Sequence, residues 1–452
     1  MKQIAIIGAG LSGTLLAMNL LQKARGKAVK IWLIDRNAPE DLGPAYSTNE
    51  DYLLNVPVEM MGAVSREPEH FLKWSRQKNI QAVKGDYLPR KLYRTYIQSL
   101  LNTSIQEKSS KGVLERIRGE AYDVRLRENR ANVFVKDYGE IAADRVILAL
   151  GNFLPREPVI KNVSFFKDRR YIRNPWAPDL LDRIERNNVI IFIGSGQTMI
   201  DLATGLYRKK HQGRILTISR RGLLPLSQKR VESYPSFYEE LRGEKRLLPV
   251  FQTVRRHLET AGRKGLDPRA VIDSLRPHTS LIWMNFPDDE KRRFLRHLFR
   301  YWEIIRSRIP PESEKIIHQL QKSGQMKLLS GSIVDFVANR NKIEMTYLTR
   351  DSKNLKRESA DLVINCVGPD LDYEHREEAL VKNLLKKKLI HCDSVHLGIN
   401  ARPDGAVIQT DGTASDILYT IGLTLKGIVW EALAAPEIRV QAENLARKLL
   451  AN

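Results

Sequence analysis

A glycine turn set between a strand and a helix, met twice in one chain, constrains the fold of this sequence more than any other feature. Residues 3–7 (QIAII) form a short β-branched run of the kind that becomes a buried parallel strand. Gly8-Ala9-Gly10-Leu11-Ser12-Gly13 follows, then a helical pattern from about Thr14 to Lys23 with Leu16, Leu20 and Leu21 as apolar positions. A second strand, Val29 to Ile34, ends in Asp35-Arg36. Each piece has a physical task. Gly8 permits the tight turn, Gly10 lets the backbone approach a pyrophosphate, and Gly13 lets helix and strand pack closely. Leu11 and Ser12 complete the turn, and the free N–H groups of the helix start face the anion. Asp35, 22 residues after Gly13, is placed to accept hydrogen bonds from a ribose hydroxyl pair, with Arg36 beside it. The flanking strand, the helix and the acidic strand end all agree on a dinucleotide site.

The second unit begins at Val189-Ile190-Ile191-Phe192-Ile193 and turns through Gly194-Ser195-Gly196-Gln197-Thr198-Met199-Ile200-Asp201 into a helical stretch reaching about Tyr207. Met199 stands at the third-glycine position, which implies looser helix–strand packing but an intact phosphate turn at Gly194, Gly196, Gln197 and Thr198. The next strand, Arg214 to Ser219, ends in Arg220-Arg221-Gly222. An acidic residue at that strand end would favour NAD(H), whereas arginine can pair with the 2′-phosphate of NADP(H). Arg220 and Arg221 therefore point to NADP(H); the plainer alternative is a pair of solvated charges in a basic stretch. Two units about 180 residues apart predict an α/β chain of two Rossmann-like three-layer domains. One would hold FAD and the other NADP(H), the arrangement of flavoproteins reduced by pyridine nucleotides.

Composition narrows the class further. In 452 residues, 42% are hydrophobic and 28% charged, enough apolar surface for two or three cores and too much for a disordered chain. The 27 Gly and 20 Pro show no repeat period. Cys366 and Cys392 are the only cysteines and no C-x-x-C exists, which argues for a reducing, cytoplasmic home and against a redox-active disulfide. Cys366 lies in an apolar strand. Cys392, with His391, Asp393 and His396, offers too few converging ligands for a metal, so none is expected. The apolar run after Met1-Lys2-Gln3 carries glycines at fixed spacing and leads into another strand, unlike a signal peptide. No other stretch is long and apolar enough to span a bilayer, so the chain is expected to be soluble.

The net charge of +21 is concentrated in the middle of the chain: residues 203–330 hold 27 Lys and Arg against 13 Asp and Glu. Asp288-Asp289-Glu290 would open a helix whose Phe294, Leu298, Trp302 and Ile305 form an apolar stripe, read as core packing. Opposite lie Lys291, Arg292, Arg293, Arg296 and Arg300. They form either a solvated face or a patch for an anionic substrate, a carrier protein or a membrane surface. Nucleic acid is disfavoured, because no recognition module or pattern of stacking aromatics accompanies the charge.

Further stretches resemble the bacterial FAD–NAD(P)-binding proteins related to class B flavin monooxygenases and to ornithine/lysine N-hydroxylases. Gly43-Pro44-Ala45-Tyr46-Ser47 with Leu53-Leu54-Asn55-Val56-Pro57 is similar to the family segment that passes near the isoalloxazine. Phe71-Leu72-Lys73-Trp74 and Pro89-Arg90 with Tyr93 and Tyr96 look like the helices that follow. Val146-Ile147-Leu148-Ala149-Leu150-Gly151 resembles the strand that closes the FAD fold, and Asp361–Gly368 a second strand of that type. Leu418–Gly422 and Gly427–Glu431 resemble the C-terminal flavin segment, with Leu423 where the family often has Asp. Phe294–His297 and Arg306-Ser307-Arg308 match a basic helix whose histidines are replaced here by Ile305 and Ser307.

The resemblance implies Asn55, Gly151 and Gly422 as further FAD-binding positions. It also implies a discontinuous FAD domain, residues 1–155 and 330–452, around an NADP(H) domain, 156–329, with a basic helical insertion. The implied activity is an FAD-dependent, NADPH-reduced monooxygenase that passes one atom of O2 to a small-molecule substrate, with N-hydroxylation as one form. An NADPH-dependent flavin reductase or dehydrogenase without oxygen transfer stays open, as does a non-catalytic dinucleotide-binding sensor. No catalytic residue is nominated.

Overall fold

In the computed structural model, which describes residues 1–24, 26–38, 41–46, 52–107 and 112–451, the first strand, Lys2–Ile7, lies at the centre of a six-stranded sheet. Its place follows from composition: Ile4, Ala5 and Ile6 are fully buried, which only a strand covered on both faces allows. Val29–Asp35 and Arg145–Leu148 flank it in parallel, with Gly112–Arg118 beyond the former. Ala414–Thr420 pairs in parallel beyond the latter, and antiparallel Ala406–Ile408 forms the edge. The helices Leu11–Lys23, Arg90–Gln106 and Ala435–Ala451 contribute to the core on one face. A three-stranded antiparallel sheet (Ala121–Leu126, Ala131–Val135, Gly139–Ala143) and the helix Ala379–Lys386 cover the other. Leu15, Leu16 and Leu20 of the first helix are fully buried, each such burial being worth about 1.5–3 kcal/mol.

The second sheet has seven strands and repeats the plan. Ile190–Ile193 sits between Ile215–Ser219 and Leu362–Asn365, both parallel to it. Tyr171–Ile172 lies outside Leu362–Asn365, while Met326–Ala338 continues beyond Ile215–Ser219 and turns into antiparallel Ile343–Thr349 and Leu355–Ala360. In both sheets the strand order reverses at the strand that runs into the glycine turn, and open α/β sheets bind ligands in the crevice at that switch point. The architecture is the expected pair of Rossmann-like units.

The structure moves one boundary. The resemblance implies a return to the first unit near residue 330, but Met326–Ala338 through Leu362–Asn365 all pair in the second sheet. Asp361–Gly368, read as a flavin-type strand, supplies Leu362–Asn365 to that sheet, where Val363 and Ile364 are fully buried beside Ile190–Ile193. The apolar run follows the place that covers both its faces.

Between Ser219 and Met326 the chain inserts the helices Leu247–Arg263, Pro268–Leu275, Thr279–Asn285, Asp288–His297 and Phe299–Arg306, with a core of their own. Val395 and Trp430 from the C-terminal segment join that core. The helix expected to carry the apolar stripe breaks at Leu298 into two. Among the described residues no helix is long and apolar enough to cross a membrane.

Candidate functional site

Gly8 adopts φ +112°, and a Cβ there would lie 2.1 Å from the Ala149 carbonyl oxygen, so the turn fits only glycine. Gly13 packs directly on the Gly8 carbonyl, whereas a Cβ on Gly10 would meet only Leu42 O, in ordinary contact at 3.8 Å. The helix Leu11–Lys23 begins with no side-chain cap and no acidic residue in its first turn, leaving its N–H groups for an anion. Leu11 is buried and Ser12 packs against Gly422, which brings the C-terminal segment onto the phosphate turn. Asp35 Oδ2 accepts from the Ala9 N–H at 2.7 Å and Oδ1 from the Asn37 N–H at 2.9 Å. Burial nevertheless raises its carboxyl above the ordinary aspartate range. A cavity of about 100 Å³ is walled by Gly8, Asp35, Arg36, Leu150, Phe153 and Glu378. Gly151, φ +62°, stands next to it in open space.

The second turn repeats this geometry. Gly194 has φ +103° and passes Cys366 so closely that a Cβ would meet its carbonyl oxygen at 2.7 Å, while nothing approaches the Cβ position of Gly196 within 4 Å. Met199 is fully buried in the core under the sheet. Ser195 Oγ donates to Leu223 O at 2.7 Å and bonds Ser219 Oγ at 2.9 Å, fixing the strand end that carries the two arginines. Arg221 donates to Tyr301 OH at 3.0 Å and lies over its ring; Arg220 is exposed. Thr198 turns toward a small cavity with Tyr52 and Pro175. Gln197 Nε2 donates to Asp201 Oδ1 at 2.9 Å, and Gln197 Oε1 is buried without a hydrogen-bond partner.

The two units and the insertion share one cavity of about 330 Å³. Tyr46 and Asn55 line it from the first unit and Gly196 and Gln197 from the second, with Trp302 from the insertion and Lys426 from the tail. Arg90 Nη2 reaches Asp201 Oδ2 at 2.7 Å and ties the first unit to the second, both side chains being largely buried. Arg306 makes a bidentate pair with Glu431, at 2.7 and 3.1 Å, and Arg308 one with Asp273, at 2.8 and 2.9 Å. Arg276 reaches Glu437 at 3.5 Å. Trp283 Nε1 donates to Gly427 O at 2.8 Å, so the insertion is hydrogen-bonded to the tail. Burial holds the Lys426 ammonium below the usual lysine range.

Residues 5–153 match the family model described as FAD-NAD(P)-binding. No curated protein matches significantly. Among solved structures, the ornithine hydroxylase PvdA from Pseudomonas aeruginosa superposes with a TM-score of 0.65 at 15% identity, covering 100% of this chain and 99% of that one. The cadaverine monooxygenase DfoA from Erwinia amylovora, bound to FAD, gives 0.66 at 14%, over 99% and 94%. The ornithine N-hydroxylase KtzI from Kutzneria sp. 744, holding reduced FAD, NADP+ and L-ornithine, gives 0.65 at 12%, over 99% and 98%. The chain shares the fold of these three structures. At such identities the likeness establishes the fold alone.

Ser307 lines the shared cavity and Ile305 a neighbouring apolar one, so the two positions where the resemblance implies histidines diverge. Ser47 lies outside the described residues. The structure brings in Arg90, Asp201, Gln228 and Arg276, which the motifs do not mark as site residues; Gln228 Nε2 donates to the Asn55 carbonyl at 2.9 Å. The cluster around Cys392 is also rearranged. His391 turns to Asn400, and Asp393 accepts from the Val395 and Leu397 N–H groups. Asp372 arrives instead, so that Asp372, Cys392 and His396 place three ligand atoms within 4.8 Å. That is one short of the four a structural zinc takes. The basic helix is largely tied down: Arg293 pairs with Glu290, Arg300 with Glu303, and Arg292 donates to Ser394 O.

Proposed function

We propose that this chain is an FAD-dependent, NADPH-reduced monooxygenase acting on a small molecule. The observation that carries the reading is the cavity walled by both dinucleotide units, with the second glycine turn on it and the first on an adjoining cavity. A pyrophosphate fits the space at Gly10 and at Gly196, where a Cβ would intrude, and the uncapped helix starts supply its N–H donors. Gly8, Leu11, Ser12, Gly13, Asp35 and Arg36 would hold FAD, with Asn55, Gly151 and Gly422. Gly194, Gly196, Gln197, Thr198, Arg220 and Arg221 would hold NADP(H). The two units would be residues 1–155 with about 366–452, and about 156–365, following sheet membership. When bound, the flavin would accept a hydride from the nicotinamide and supply the chemistry with O2.

The protein's own contribution is placement. Arg90 and Asp201 lock the two units on either side of the shared cavity, which Gly196 and Gln197 of the second turn reach from one side and Tyr46 and Asn55 of the first unit from the other, and Trp302 and Trp430 wall that cavity. The N-hydroxylating neighbours support oxygen transfer. Ser307 in place of a histidine favours a second reading, a flavin reductase without it. Anaerobic titration of FAD-loaded protein tests the common step: NADPH bleaches the oxidised-flavin absorbance and NADH does so far more weakly. Isotopically heavy oxygen in a product separates the two readings. No bleaching by either nucleotide would sink both.

Arg221 and Arg220 give a sharper expectation. A charge-assisted hydrogen bond to phosphate is worth about 1.5–3 kcal/mol. Arg221→Ala with Arg220→Ala therefore raises the KM for NADPH by roughly 10–100-fold and leaves that for NADH unchanged. Equal effects on the two nucleotides would make the arginines ordinary surface charges.

A further inference from the structure

Beside the polar cavity lies an apolar one of about 160 Å³, set between the helices Leu247–Arg263, Thr279–Asn285 and Phe299–Arg306. Val250, Val254, Ile282, Leu298 and Ile305 line it. The apolar stripe predicted as closed core is thus the wall of a cleft. Its volume is close to the ~150 Å³ of an apolar protein cavity that takes benzene. Trp302 and Trp430 belong to the walls of both cavities.

Trp430 is held in an unusual way. Its φ and ψ of 59° and −58°, with the Glu431 N–H donating to Val429 O at 2.6 Å, form a three-residue turn that a bulky residue rarely adopts. Backbone strain of this kind persists where the surroundings over-determine it, and it clusters at functional sites. Here the indole stacks on Trp283 at 4.4 Å, with Phe294 and Phe299 edge-on. Lys426 Nζ lies 5.5 Å from the ring centres of both Phe299 and Trp430. Arg276, Arg306 and Arg308, which line the same cavity, carry Glu437, Glu431 and Asp273. Among the described residues no carboxylate stands within ion-pair distance of Lys426; Glu303 and Glu431, which line the same cavity, favour its charged form from further off, so the ammonium keeps its hydrogen-bonding face for a ligand.

We propose that the apolar cleft is the tail end of the substrate site, so that the chain acts on an amphipathic anion. A hydrocarbon group of about phenyl size occupies the cleft, and an anionic group lies at Lys426 across the Trp302–Trp430 wall. This rests on the shared cavity being the reaction site. The observations that join the two ends are the common tryptophans, the match of volume, and the unpaired lysine on the polar side.

The tryptophans provide the readout. FAD-loaded protein is titrated with octanoate, acetate, octylamine and octanol while tryptophan emission is followed. Each buried methylene tightens binding about fourfold, so octanoate binds at least ~100-fold more tightly than acetate. It also binds at least ~10-fold more tightly than octylamine. Val254→Phe, which fills the half-buried rim, removes the advantage over acetate. Val254→Ala keeps it and shifts the preference to longer chains. Lys426→Met abolishes the preference for octanoate over octylamine and leaves octanol unchanged. Octanoate no tighter than acetate, or unaffected by Val254→Phe, overturns the tail site. Octylamine equal to octanoate in the parent protein overturns the anion. Emission needs no turnover, so a preparation that binds octanoate as described but is not bleached by NADPH would fail the redox reading and not this one.

Discussion

Replacing Gly8 by valine empties the first unit of flavin. At φ +112° a side chain is strained whatever the space, and here the Cβ would sit 2.1 Å from the Ala149 carbonyl oxygen, just past the end of the adjacent parallel strand. Neither atom is the far end of a flexible side chain. Relief requires Lys2–Ile7 and Arg145–Leu148 to separate where Ile6, Ile7, Ile147 and Leu148 are almost fully buried. Overpacking of this kind removes about 3 kcal/mol or more. Purified Gly8→Val is expected to carry less than about a tenth of the parent's flavin, measured by absorbance after denaturation, with a lowered unfolding midpoint. A variant that retained stoichiometric flavin would show that the turn is not the pyrophosphate cradle. The same substitution at Gly10, where a Cβ would meet only Leu42 O in ordinary contact at 3.8 Å, is expected to remove flavin with little loss of stability; that contrast separates a packing glycine from a ligand-facing one.

The second large effect is expected at the link between the units. Arg90→Met takes the ion-pair partner from the buried Asp201 carboxylate and leaves it the Gln197 amide and the more distant Arg208. Breaking a buried pair by removing one partner typically destabilises by about 3–5 kcal/mol, read here as a shift in the urea midpoint. Arg90→Met with Asp201→Leu recovers most of that, because the orphaned charge is gone and only the link is lost. The pH dependence has a definite sign. Burial already holds Asp201 above the ordinary aspartate range, and Arg90 pulls it down. Without Arg90 the folded-state pKa rises further. The folded variant then binds this proton more tightly than the unfolded chain does. Its stability deficit is largest above the folded pKa and shrinks as pH falls toward about 4, the unfolded value. A deficit independent of pH would mean that Asp201 is neutral in the parent protein.

These two positions also show what a sequence discloses. The glycine turns are legible because a phosphate cradle is local: strand, turn and helix lie within about twenty residues, and each position is limited by sterics. Arg220 and Arg221 are legible for the same reason, being at the end of the next strand. The pairing of Arg90 with Asp201 is not, since each is unremarkable in its own helix and only the docking of two sheets brings them together. Lys426 and Trp430 belong with them: the segment after Gly422 can be matched to a flavin segment, but nothing in it marks this lysine and tryptophan as walls of a cavity until the insertion packs around them. The stripe at Phe294, Leu298, Trp302 and Ile305 was legible as apolar but not as a cleft. Periodicity reports which face avoids water and says nothing of whether that face is filled. The boundary after Asn365 escaped because a run such as Leu362-Val363-Ile364 suits either sheet equally well.

The order of strands in the first sheet bears on how the protein is made. Arg145–Leu148 is flanked on one side by Lys2–Ile7 and on the other by Ala414–Thr420. The centre of the first unit therefore waits, during synthesis, for a neighbour that emerges last, while every strand of the second unit is available by Asn365. Long-range pairing of this kind slows folding and leaves an unpaired strand edge exposed meanwhile. The nascent first unit keeps open, at Arg145–Leu148, an edge that the finished sheet covers, for the whole time that the second is translated, and a chaperone or an early flavin would find its use during that interval.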